Sequence, residues 1–124
     1  MNIYTSYFAK LKKLPDNIIP ISICSKVPNW YTGFQYKKLA PKYDFFMQWK
    51  ATHDNDYYIK CYKEQVTDVL DANTVINDLH NLIDNVDDKD IALLCYEKPT
   101  DFCHRHLVAK WLTKNGFLCK ELEL

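Results

Sequence analysis

Apolar and polar positions along the chain follow two periods, one suited to strands and one to helices. Asn2 to Ser6 is a short strand candidate. Tyr7 to Leu14 is polar and helix-compatible, and Pro15 stops it. Asn17 to Cys24, rich in isoleucine, reads as a second strand, with Pro20 demoting its first half or marking a bulge. Ser25 to Leu39 is a loop carrying Pro28, Gly33 and many aromatics. From Lys42 to His53, Tyr43, Phe46, Met47 and Lys50 share one helical face. Tyr58, Tyr62, Val66 and Val69 form a second stripe within Tyr57 to Leu70, and Val75, Ile76, Leu79, Leu82 and Ile83 form a third.

The acidic run Asp84 to Asp90 reads as a turn. Ile91 to Cys95 is a continuous apolar run between charged residues, the signature of a strand buried on both faces of a parallel sheet. Leu107, Val108, Trp111 and Leu112 mark a helix from about Thr100 to Lys114, which Asn115-Gly116 ends. Phe117 to Leu122 is a last strand. The order β-α-β-loop-α-α-α-β-α-β predicts one α/β domain over residues 1–124, with about four mostly parallel strands and helices packed on them.

Composition narrows the picture. A chain of 124 residues with 48% hydrophobic content excludes the disordered classes. At this size folding buries roughly two-thirds of the chain's surface. No apolar run approaches the ~20 residues of a membrane span. No charged-then-apolar leader opens the chain, so a cytoplasmic protein without membrane partners is expected. Only two glycines occur, which excludes Walker A, Rossmann, nucleophile-elbow and kinase glycine loops. Net charge is zero, against a bulk polyanion binder. Yet residues 1–50 hold eight Lys and two acids, and residues 51–94 three Lys and ten acids. That asymmetry fits either an anionic ligand near the basic half or solvated faces of two packed halves. The five cysteines, with no C-x-x-C pair, read as reduced thiols, most of them in the core.

In open α/β sheets ligands bind beyond the carboxyl ends of strands. That rule nominates Thr5-Ser6-Tyr7, Ser25-Lys26, Glu97-Lys98 and Thr100 to Arg105. The segment from Cys95 to His106 is the densest in reactive side chains. With Thr100 as N-cap after Pro99, Cys103 falls at the third helical position, where the helix dipole stabilises a thiolate. Cys103 is then a nucleophile or an inert filler beneath the helix. Arg105, the single arginine beside fifteen lysines, is suited to a bidentate anion contact or to a buried bridge, for instance to Glu97. His104 shares the face of Val108 and Trp111 and is a structural histidine or a general acid/base; His106 faces solvent. Cys95, Cys103, His104 and His106 lack the knuckle spacing of structural zinc, so neither metal nor cofactor is expected. The aromatic and basic loop from Asn29 to Lys38 either stacks a base or packs its rings over the sheet.

Residues 93–112, LLCYEKPTDFCHRHLVAKWL, resemble the signature of the domain-of-unknown-function 488 family, with Leu94, Cys95, Glu97, Cys103, His104 and Arg105 at the pattern's spacing. The compact, lysine- and asparagine-rich form is similar to versions encoded by phages or low-GC bacteria. The family usually carries Asp-Val-Arg after its second strand; here Ile23 to Pro28 lacks that acid and arginine, and Lys26 is the only cation. The resemblance implies the fold and the site, but no reaction.

Two functional classes follow. In the first, a strand-end pocket binds or processes a small anionic ligand, a nucleotide or nucleic-acid end. Arg105 and Lys26 hold the anion beside Ser25 and Tyr7, Trp30 and Tyr31 lead the stacking aromatics, Glu97 and His104 are acid/base candidates, and Cys103 is a nucleophile. In the second, Glu97, Cys103, His104 and Arg105 form a structural network in a non-catalytic protein-binding module. A redox or persulfide-handling Cys103 is a third reading.

Overall fold

The computed structural model describes residues 1–84, 89–98 and 100–124. The turn expected over Asp84 to Asp90 falls largely on residues 85–88, outside the described residues, as does residue 99, expected just before the helix cap. The apolar runs form strands β1 (Ile3–Tyr7), β2 (Ile18–Ser22), β4 (Asp90–Cys95) and β5 (Cys119–Glu121). A short strand inside the expected aromatic loop, β3 (Phe34–Gln35), makes the fifth. All pairings are parallel, in the order β3-β2-β4-β1-β5. β4 is central, and Ile91 to Leu94 are fully buried, as a strand covered on both faces requires.

Period-two alternation divides the sheet into two faces. Ile21, Ile91 and Leu93 pack with α1 (Tyr43–Thr52), α2 (Asn55–Tyr62), α3 (Ala72–Leu82) and α4 (His104–Lys114). Ile18, Ala92 and Leu94 face the other way, against Phe8 of the 3-10 segment Phe8–Lys13 and Tyr31 of the following loop. Pro20 makes no bulge; it pairs in register with Ala92. Ile23 N donates to the Leu94 carbonyl, so residues in that phase face β4 and Pro20 faces the β3 side. There β3 reaches only Ile21 and Ser22, so the missing N–H interrupts no ladder bond.

Three elements differ from the sequence pattern. In α1 the fully buried ring is Phe45, whereas Tyr43 and Met47 are exposed. The stripe of Tyr43, Phe46, Met47 and Lys50 lines a cleft, with only Phe46 of the four also packed against the core. The helix expected over Tyr57 to Leu70 stops at Tyr62 and widens into a π turn, Lys63–Thr67, where Asp68 N reaches back five residues to the Lys63 carbonyl. The shift in phase keeps Val66 buried and turns Val69 to solvent. Finally, α4 begins at His104 and not at Thr100. Cys103, extended at φ −155° and ψ 144°, is the N-cap. The stretch before it stays unwound because Phe102 packs against Tyr58 and Trp49, with ring centroids 4.9 and 5.6 Å away. Gly116, at φ 92°, follows the end of α4. Among the described residues no helix is long and apolar enough to cross a membrane.

Candidate functional site

After β2 the chain moves to β3 on one side; after β4 it passes to β5 on the other. The gap beyond the carboxyl ends of β2 and β4 is therefore the topological switch point, where open α/β sheets bind ligands. A cleft of about 570 Å³ lies there. Its walls come from the β2 end (Cys24, Ser25, Lys26), the β4 end (Cys95, Tyr96, Glu97), the cap of α4 (Phe102, Cys103, His104) and the α1 stripe with Trp49; Pro41 and Tyr58 complete it. The lining is mainly apolar and aromatic. Lys26, Lys50 and Glu97 supply charges, and all three are exposed. The Lys50 ammonium lies 5.3 Å from the Phe46 ring centre, where the ring's π face attracts it.

The floor is a sulfur–imidazole cluster. Cys95 and Cys103 are joined in a disulfide. The expectation of five reduced thiols is thus corrected: the end of β4 and the cap of α4 bring these two together. Cys24, Cys61 and Cys119 remain as buried free cysteines. His104 Nε2–H donates to the Ile23 carbonyl at 2.7 Å. A carbonyl cannot donate, so this bond fixes the tautomer and leaves the Nδ1 lone pair facing the sulfurs. Nδ1 lies 3.4 Å from Cys95 Sγ and 4.0 Å from Cys103 Sγ. Burial pushes the His104 pKa from 6.5 down to about 4, so the imidazole is neutral near pH 7. Burial also pushes the Cys24 thiol up to about 12.

Arg105 does not reach the cleft. It is fully buried and pairs with Glu121, Nε to Oε1 at 3.0 Å and Nη2 to Oε2 at 3.2 Å. Its Nη1 donates to the Glu97 carbonyl. Thr5 Oγ1 donates to the same Glu121 carboxylate at 2.7 Å, and the Tyr7 ring lies 5.4 Å from the guanidinium. Planar bidentate geometry is therefore used within the protein, on Glu121, and the Glu97 side chain is left to the cleft.

The sequence-nominated residues thus divide. Ser25, Lys26, Glu97, Cys103 and His104 share the cleft. Tyr7 and Arg105 belong to the Glu121 network. Trp30 and Tyr31 lie on the opposite sheet face beside Phe8, at 6.3 and 5.3 Å between centroids. Tyr31 OH donates to the Phe34 carbonyl at 2.7 Å, so its ring closes the core. Cys103 is neither at a third helical position nor a lone thiol. His106 is half-buried instead of solvated; desolvation lowers its pKa, and its Nε2 has no hydrogen-bond partner among the described residues. The cleft residues that sequence reasoning missed are the α1 stripe with Trp49, together with Tyr58, Phe102, Tyr96 and Cys24. The stripe carried a signal: an apolar face that ends in a lysine is a face that meets solvent.

Residues 9–116 match the family model DUF488-N3a, described as the active DUF488-N3 subclade. No curated protein and no solved structure matches the chain.

Removing the fully buried Arg105 leaves a half-buried Glu121 carboxylate and the Glu97 carbonyl unmatched, so Arg105→Ala is expected to cost about 2 kcal/mol or more in urea unfolding. A loss within about 0.5 kcal/mol would show that the pair does not anchor α4. In the disulfide form, an unfolded chain protonates its imidazole near 6.5, whereas folded His104 resists protonation down to about 4. The unfolded state binds the extra proton between those values. The stability tied to neutral His104 is therefore present above pH 6.5 and lost as pH falls toward 4. Unfolding midpoints at pH 5 and 7.5 should differ less in His104→Gln than in wild type; an unchanged difference would refute the assignment.

Proposed function

The chain belongs to the DUF488 family, and we propose that its switch-point cleft binds a small aromatic anion, a nucleotide or a nucleic-acid end. The observation that carries this reading is the juxtaposition, in one cleft, of the α1 aromatic wall with Lys26 and Lys50. Flat rings suit a base, because every base offers a π face. Two exposed ammonium groups suit phosphate oxygens without a glycine-rich loop. Lys26 is the only cation in the stretch from Ile23 to Pro28, and Lys50 adds a second from another element.

Processing of the bound ligand rests on the floor. His104 Nδ1 is a neutral acceptor held in place by the Ile23 carbonyl, and Glu97 lines the rim. In the dithiol state a thiol of Cys95 or Cys103 donates its proton to Nδ1, the arrangement of an activated nucleophile. The matched subclade's description as active accords with a cleft that keeps Cys, Glu and His.

A second reading, a protein-interaction module with the motif as a structural network, is favoured by one observation, the engagement of Arg105 with Glu121. The two separate in one experiment. Thermal shifts and titrations of wild type, Lys26→Ala/Lys50→Ala and Tyr43→Ala are run with mononucleotides, nucleosides and short oligonucleotides. All three side chains are exposed, so the variants should fold. Nucleotides at about 100 times their dissociation constant should raise stability by ~2.7 kcal/mol. The double lysine variant should weaken binding of nucleotides more than of uncharged nucleosides. Tyr43→Ala should weaken both, by about five- to a hundredfold if the ring stacks on the base. Stabilisation by none of the ligands, or equal binding by all variants, would leave the interaction reading.

A further inference from the structure

We infer that, in its dithiol state, the cleft floor is a tetrahedral site for a zinc-class divalent ion, held by Cys24, Cys95, Cys103 and His104. Two chain regions far apart in sequence bring the donors together: the end of β2 with Cys24, and the end of β4 with the cap of α4, where Cys95 and Cys103 are 8 residues apart. Cys24 Sγ, Cys95 Sγ and His104 Nδ1 all lie within 4.8 Å of one another. Cys103 Sγ lies 4.0 Å from Nδ1 and is joined to Cys95. All four residues are buried.

A second observation points to a ligand. Nδ1 has a lone pair aimed at sulfur, because Nε2–H is committed to the Ile23 carbonyl. Disulfide sulfurs carry no proton, so the two sulfur contacts of Nδ1 offer it no donor in the oxidised state. A thiol proton would satisfy Nδ1 but would not need a third sulfur. An ion satisfies Nδ1 and uses Cys24 as well. A ligating histidine whose other nitrogen donates to a carbonyl is the usual outer-shell arrangement of zinc sites. The soft thiolate and imidazole set selects zinc-class ions over magnesium or calcium. The ion takes Nδ1 and the two thiols that the nucleophile arrangement would use, so the metal-bound and metal-free dithiol floors are alternative states of one site; binding by the α1 wall, Lys26 and Lys50 does not depend on which is present.

The site requires a dithiol reductant. That reagent supplies two electrons and two protons, the Cys95–Cys103 bond breaks to two thiols, and the reductant closes to its own disulfide. Ion binding then releases the thiol protons of Cys24, Cys95 and Cys103 to solvent, since a coordinating thiol is deprotonated outright.

The test uses the full chain, reduced with an immobilised dithiol, kept free of air and titrated with Co2+ and then Zn2+. One equivalent of Co2+ should bind with thiolate charge-transfer absorption, and Zn2+ should displace it. Cys24→Ser should weaken binding by about a hundredfold or more, given that outer-shell changes alone cost 10–100-fold. Cys61→Ser and Cys119→Ser, whose thiols lie elsewhere in the core, should bind as wild type. In wild type, Zn2+ should also slow alkylation of Cys24, Cys95 and Cys103, read by peptide mass, which needs no variant to fold. No uptake by the reduced protein, unchanged affinity in a folded Cys24→Ser, or no protection of these three thiols would each overturn the inference.

Discussion

The bidentate pair between Arg105 and Glu121 holds the structure's working parts in register. A guanidinium with no solvent exposure persists only when its donors are matched, and here the Glu121 carboxylate and the Glu97 carbonyl match them. Those contacts tie α4 to the last strand and to the turn after β4. Thr5 and Tyr7 extend the tie to β1. Because Arg105 is the second residue of α4, fixing it also fixes Cys103 and His104 beside it. The floor of the cleft therefore depends on a charge pair that never touches the cleft.

The cleft itself follows from topology. Parallel strands leave their connections at the carboxyl ends, and reversal of direction between β2 and β4 leaves a gap there. The two faces of the sheet are then treated differently. One face is closed by Phe8 and Tyr31, so Tyr31 of the loop after β2 is consumed in packing while Trp30 and Phe34 stay exposed. On the helical face, α1 buries Phe45 and turns its other rings toward the gap. Aromatic residues far from the reactive motif in sequence thereby become its walls.

Much of the fold was legible because burial on both faces leaves plain runs. Ile91 to Cys95 and the isoleucine-rich stretch around Ile18 to Ile23 read as strands, and they are the core of the sheet. β3 was not legible, since two exposed residues held by pairing to Ile21 and Ser22 have no hydrophobic pattern. The start of α4 was misplaced because a tertiary contact, Phe102 in its aromatic nest, outweighs local capping propensity. Within the site, strand-end position pointed to Glu97, Cys103, His104, Ser25 and Lys26, but equally to Tyr7 and Arg105, which lie outside the cleft. The partner of Arg105 was not legible, because Glu121 lies sixteen residues away on strand β5, beyond the end of α4. Nor was Cys24 beside Cys95, seventy-one positions on, a proximity created only when β2 and β4 pair.

The central claim is that the β2–β4 switch point is the ligand site. Amide chemical-shift mapping by NMR, with a mononucleotide titrated into the full chain, addresses it most directly. The account predicts saturating shifts clustered on Cys24 to Lys26, on α1 from Tyr43 to Lys50, and on Tyr96, Glu97 and Phe102 to His104. Shifts centred on Phe8, Trp30 and Tyr31, or none at saturating ligand, would contradict it.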